Sequence, residues 1–130
     1  NYKYLVSEIL VHYCYRKLIN LHISYLPYNR GADPNFWSIV EGTPSGVTIH
    51  YIDQGIDTGE IIVQEKVPLK NSDTLASSYE KLHKVIQKLF MGYWKYIKKG
   101  KIASRPQEGF GTFHRKKDFY NLRVRVLKRI

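Results

Sequence analysis

A stripe of apolar residues runs through the second half of this 130-residue sequence: Leu75, Tyr79, Leu82, Ile86, Leu89, Tyr93 and Ile97 step by three or four. At that spacing an α-helix returns to the same face. The pattern predicts one long helix over 73–99, capped by Ser72 or Asp73 and ended by Gly100. Such a helix is about 40 Å long at 1.5 Å per residue. With one apolar face it needs a second layer to cover it. That layer is legible just upstream. Val47 to Ile52 is β-branched and aromatic, Glu60 to Val67 reads as a second strand, and a turn with Gly55 and Gly59 joins them.

Further upstream, residues 2–14 read as a helix with Leu5, Ile9 and Tyr13 spaced by four. Residues 17–23 read as a strand and 24–33 as a loop broken by Pro27 and Gly31. Pro34 suits the first turn of a short helix through Val40, with Asp33 as its cap. Gly42 and Pro44-Ser45-Gly46 mark a turn. Beyond Gly100, Pro106, Gly109 and Gly111 indicate a loop. Tyr120 to Ile130 alternates apolar and basic residues and fits either an edge strand or a helix. The succession of helix, strand, helix, strand pair and long helix is that of an α/β protein. The length suits one domain that buries roughly two thirds of its unfolded surface.

The net charge is +10 and uneven: residues 101–130 hold nine Lys and Arg against Glu108 and Asp118. This fits a polyanionic partner, nucleic acid or the diphosphate of a nucleotide, or else a solvated basic terminus. No apolar run approaches the roughly 20 residues of a membrane span, so no membrane partner is expected. Cys14 is the only cysteine. An internal disulfide is impossible, and a reducing, cytoplasmic compartment fits. His12, His22, His50, His83 and His114 show no ligand spacing, so no metal is expected.

The stretch "NLHISYLPYNRGADPNFW" (20–37) opens as a strand with unusual contents. Alternation puts Asn20, His22 and Ser24 on one face and Ile19, Leu21 and Ile23 on the other. An amide and an imidazole thus sit side by side near the carboxyl end of a strand, where open α/β sheets place ligands. Asp57, in the glycine-flanked turn between the next two strands, is available as a third member.

These two stretches carry a resemblance. "NLHISYLPYNRGADPNFW" followed by "GVTIHYIDQGIDTGEIIVQ" resembles the catalytic core of the formyltransferases that use 10-formyltetrahydrofolate. The matching pattern is Asn-x-His, Ser-x-Leu-Pro with Arg-Gly close behind, Gly-Val-Thr, and Asp-x-Gly in the turn, over roughly residues 17–67. The implied fold is the C-terminal half of a Rossmann-like formyltransferase domain: a mixed sheet with flanking helices, a β-hairpin and a long helix. Residues 1–100 would be the catalytic-domain fragment and 101–130 a basic C-terminal segment. The half that precedes the Asn-x-His strand in relatives is missing. The chain, which opens on Asn1, is therefore expected to be a piece that is inactive alone and exposes the edge of its first strand.

The resemblance implies transfer of a formyl group from the folate to an amine, with the family triad on Asn20, His22 and Asp57. The Asn20 amide would donate to the developing oxyanion, a contact typically worth about 10²–10³ in rate. His22 would donate to the same oxygen or move protons, worth about 10²–10⁴. Asp57 would favour and orient the charged imidazole, or accept the amine's proton through water. "YLPYNRGADPNFW" is most similar to members acting on nucleotide-linked amino dideoxy sugars, the route to lipopolysaccharide or O-antigen. It implies substrate contacts at Tyr28, Asn29, Arg30, Asn35 and Trp37. Arg30 suits an anion because its guanidinium is a permanent forked donor. "GTFHRKKDFYNL" is similar to the tail of those members. Two alternatives stand: a methionyl-tRNA formyltransferase fragment, against which the short segment after the long helix argues, and a non-catalytic basic binding module, which would call for an aromatic platform. Nucleic acid is therefore the less favoured partner. Phe90 and Trp94, off the main stripe, suggest a homo-oligomer.

Overall fold

The computed structural model describes residues 5–127, with side chains described for residues 5–122. In chain order the elements are α1 (Glu8–Tyr13), β1 (Ile19–His22), β2 (Arg30–Gly31), α2 (Pro34–Glu41), β3 (Gly46–Tyr51), β4 (Ile61–Lys66), α3 (Leu75–Ile97), β5 (Phe113–His114) and α4 (Lys116–Leu127). β3 is the centre of an antiparallel sheet with the order β1-β3-β4, and β2 and β5 form a separate parallel pair. The result is α/β with both kinds of pairing, and it includes the expected β3–β4 hairpin and long helix.

Every residue of β3 is buried, so the strand has no solvent-facing side although Thr48 and His50 alternate with its apolar residues. Val47, Ile49 and Tyr51 share the face that packs with Leu82, Ile86 and Ile97 of α3. Each such side chain contributes about 1.5–3 kcal/mol when fully buried. Thr48 and His50 are also buried but lie on the opposite face.

The helix termini differ in detail from the expectation. α3 is capped by Thr74, not Ser72 or Asp73: its Oγ1 accepts from Ser77 N at 3.1 Å, and its own N–H donates to Ser77 Oγ at 2.9 Å. Only Thr74 has a hydroxyl residue at the third helical position to complete this reciprocal pair. Asp73 instead accepts from Lys70 N and Lys81 Nζ. Gly100 follows at φ +62°, as its position predicts. Asp33 precedes α2 in the left-handed region and makes no side-chain cap. Its backbone carbonyl takes Trp37 N.

The apolar stripes are also corrected. On α3, Leu75 and Tyr79 are half exposed while Ser78 is fully buried. α2 packs there through Asn35, whose Nδ2 donates to Leu75 O and Ser78 Oγ. Phe90 packs against the core rather than off it. α1 is shorter than the predicted 2–14, whose first residues lie outside the described ones. Its buried residue is Val11, and Leu5, Ile9 and Tyr13 are exposed. The segment left open as strand or helix is α4, up to Leu127; residues 128–130 lie outside the described ones.

The chain after α3 returns across the sheet. Ile61 and Arg105 exchange backbone hydrogen bonds at 2.8 and 2.9 Å. Thr112 N donates to Pro27 O, and Thr112 O accepts from Arg30 N. Gly111, at φ +63°, passes so close that a Cβ would strike Pro27 O. The 24–33 loop therefore holds a strand, β2, whose partner lies 83 residues away (Arg30 to Phe113).

Candidate active site

β1 and β3 pair with Asn20 opposite His50 and His22 opposite Thr48. Directly opposed residues project from the same face, so the polar face of β1 continues onto β3. The Asp57 turn closes over it. Asp57 adopts φ +54°, an uncommon conformation for a residue with a side chain.

Its carboxylate is the hub. Oδ1 accepts from Asn20 Nδ2 at 3.0 Å and lies 3.4 Å from His50 Nε2. Oδ2 accepts from Gly31 N at 2.9 Å and lies 3.7 Å from His22 Nδ1. Backbone carbonyls fix which ring nitrogens carry hydrogen. His22 Nε2 lies 2.9 Å from Asn29 O, and His50 Nδ1 lies 2.7 Å from Tyr51 O. A carbonyl only accepts, so those nitrogens donate. In both rings the nitrogen left to gain a proton is the one facing Asp57.

Burial opposes a charge on Asp57. The His50 imidazole, the His22 imidazole and the Gly31 amide outweigh it and hold the carboxyl well below the usual carboxylate range. Burial pushes the His22 imidazole down from its ordinary value, although Asp57 and the Asn29 carbonyl pull the other way. The arrangement is a buried anion with two imidazole nitrogens turned toward it.

A cavity of about 890 Å³ opens on this cluster, with Asn20, His22, His50 and Asp57 among its lining residues and Leu10, Leu18, Leu21, Ile52 and Ile56 supplying apolar wall. Its size and mixed lining are those of a small-molecule site. The apolar wall suits a flat ring system and the polar cluster a reacting carbonyl. Asn20, His22 and Asp57 therefore meet at one cavity. The amide nitrogen of Asn20 is not free, since one hydrogen goes to Asp57; the second has only a 3.4 Å approach to His50 Nε2.

The other residues singled out in the sequence lie elsewhere. Asn29 is fully buried and bonds to Thr43 and Thr112. Asn35 joins α2 to α3. Trp37 is buried and stacks on His114 with ring centroids 3.9 Å apart. Arg30 donates through Nε and Nη2 to Gln107 Oε1 at 3.0 and 2.7 Å. Tyr28 is partly buried in the loop, its carbonyl accepting from Ser24. None of these five lines the cavity at Asp57. His50 is a member that sequence reasoning missed. The signal was present in Thr48-x-His50, a polar alternation on a strand that otherwise reads as core.

Fold and site together are those of an α/β domain in which an Asn, a His and an Asp meet at one cavity. The chain belongs to the formyl transferase family, whose profile matches residues 1–92. It is 35% identical over 107 residues to the dTDP-4-amino-4,6-dideoxyglucose formyltransferase of Mycobacterium tuberculosis, covering 82% of this chain and 46% of that protein. It is 38% identical over 109 residues to a methionyl-tRNA formyltransferase of Thermodesulfovibrio yellowstonii, covering 83% and 34%. The formyltransferase PseJ from Anoxybacillus kamchatkensis, solved in complex with UDP-4,6-dideoxy-4-formamido-L-AltNAc and tetrahydrofolate, superposes with a TM-score of 0.90 at 52% identity, covering 92% of this chain and 64% of that one. The chain thus spans about half the length of the dTDP-sugar formyltransferase and about a third of the methionyl-tRNA one.

Proposed function

We propose that this chain is part of an enzyme that transfers a formyl group from 10-formyltetrahydrofolate to the amine of a nucleotide-linked amino dideoxy sugar. The observation that carries the reading is the meeting of Asn20, His22 and Asp57 at one cavity. The likeness to PseJ with its formamido sugar and tetrahydrofolate supports it. The amine nitrogen attacks the formyl carbon, the C–N bond to the folate breaks, and the amine's proton ends on the folate nitrogen. The second hydrogen of Asn20 Nδ2 meets the formyl oxygen as it gains charge. Asp57 with the Nδ1 of His22 receives the amine's proton and passes it on. Residues 1–100 carry these groups, and the basic 101–130 segment supports them. Among the described residues Arg30 has no hydrogen bond from Nη1, which is left for a phosphate, and Tyr28, Asn29, Asn35 and Trp37 act by shaping the acceptor side.

The 130 residues alone have little or no activity, because positioning supplies roughly 7–11 kcal/mol of barrier reduction in such reactions and they span only part of their relatives' length. We place the protein in the cytoplasm as a homo-oligomer serving lipopolysaccharide or O-antigen sugars. The lone Cys14 and the exposed aromatic face of α3 support the first two of these. Among the described residues no helix is long and apolar enough to cross a membrane. The test is to supply 10-formyltetrahydrofolate with a panel of amino sugar nucleotides and with methionyl-tRNA, and to follow tetrahydrofolate release. Release with a sugar nucleotide is expected from a protein of the relatives' length. Release with methionyl-tRNA alone would overturn the acceptor, and none with any acceptor would overturn the reaction.

A further inference from the structure

We propose that Gln107, in the segment after α3, is a positioning residue that holds the Asp57 turn in its reactive geometry, an inference that rests on Asp57 being the working carboxylate. Gln107 Nε2 donates to Asp57 O and to Gly59 O, each at 2.8 Å. Its Oε1 accepts both Arg30 bonds. A primary amide has two hydrogens and two acceptor lone pairs, and all four are used. Arg30 fixes the sense of the amide: a guanidinium has no acceptor, so Oε1 must face it and the NH₂ must face the turn.

The turn needs an outside grip. Asp57 stands at φ +54°, and a residue with a side chain keeps such a conformation only where its surroundings over-determine it. Asp53 secures the front of the turn, accepting from Gly55 N at 3.0 Å and Thr58 Oγ1 at 2.6 Å. Gln107 secures the two carbonyls behind. The same segment reaches His22 by a second route. Thr112 Oγ1 accepts from Asn29 N at 2.7 Å and donates to Asn29 Oδ1 at 3.1 Å, and the Asn29 carbonyl takes the His22 Nε2 hydrogen. One strap thus backs two members of the cluster and lines the cavity with neither Gln107 nor Thr112.

The test is Gln107→Met, which keeps length and neutrality and removes all four hydrogen bonds. Carbon-13 spectra of the carboxyl groups give the Asp57 titration, and proton–nitrogen spectra give the Asn20 side-chain amide. We expect the Asp57 midpoint to move up by about half a unit or more, a differential free energy of roughly 0.7 kcal/mol. The Asn20 NH₂ signals should shift while the amides of Val47 and Leu82 stay in place. A folded variant with unchanged Asp57 and Asn20 signals overturns the proposal. If the variant does not fold, the unmodified protein decides: both Gln107 side-chain hydrogens should exchange slowly with water, and an ordinary fast-exchanging amide overturns it. In the turnover assay the variant should lose about tenfold in kcat with KM for the formyl donor within twofold. A protein without formyl transfer activity defeats the functional reading only, since the spectra decide on Gln107 without turnover.

Discussion

The unusual residue here is Asp57, a carboxylate tied to an amide side chain, a backbone N–H and two imidazoles within 3.7 Å. The pH dependence of stability follows from how His22 is buried. Its folded-state value lies below the ordinary 6.5, so between the two values the unfolded chain binds more protons. The stabilisation is complete above pH 6.5 and is lost as the pH falls toward the folded-state value. Asp57 repeats the sign at lower pH: its contribution is present above the unfolded value near 3.8 and is lost as the pH falls through the depressed one. Urea unfolding from pH 7.5 to 5 should show the midpoint dropping with acid, with a flatter slope in His22→Gln. An equal slope in that variant would assign the drop to another group. In an active, full-length protein, His22→Ala should lower kcat by about 10²–10⁴, measured by tetrahydrofolate release.

At the scale of elements, local chemistry placed some boundaries and neighbours moved others. Thr74→Ala removes one half of the reciprocal pair with Ser77 and should cost about 0.5–2 kcal/mol in urea unfolding, whereas Ser72→Ala should cost far less. Gly111→Ala should cost more than about 1 kcal/mol, because it combines a positive φ with a collision at Pro27 O. That loss should come with altered β2 and β5 amide signals, since Arg30 N and Thr112 O join there. If Gly111→Ala leaves both stability and those signals unchanged, the strap does not hold the loop as described.

For the whole molecule, apolar surface remains uncovered among the described residues. On α3 Met91 is 76% exposed and Trp94 43%, and Ile9 and Tyr13 stand out from α1. Exposed apolar surface of this kind is where association sites form when it is contiguous. Sedimentation should show self-association that Trp94→Glu weakens. A monomer at high concentration would remove the homo-oligomer from the proposed function.

The sequence by itself determined what depends on short-range periodicity. The apolar step of three and four made α3, alternation of apolar and polar residues made β1, β-branched stretches made β3 and β4, and the paired glycines made the turn that presents Asp57. Asn20 and His22 were legible for the same reason: alternation along one strand fixes a shared face without any knowledge of the partner. Tertiary structure decided everything that joins residues far apart in the chain. His50 enters the cluster because antiparallel register sets it opposite Asn20, and register depends on which strands meet. Arg30 turns to Gln107, Asn29 to Thr112 and Asn35 to Ser78, because buried polar groups must find partners. Those partners lie 77, 83 and 43 residues away, beyond the reach of any local pattern.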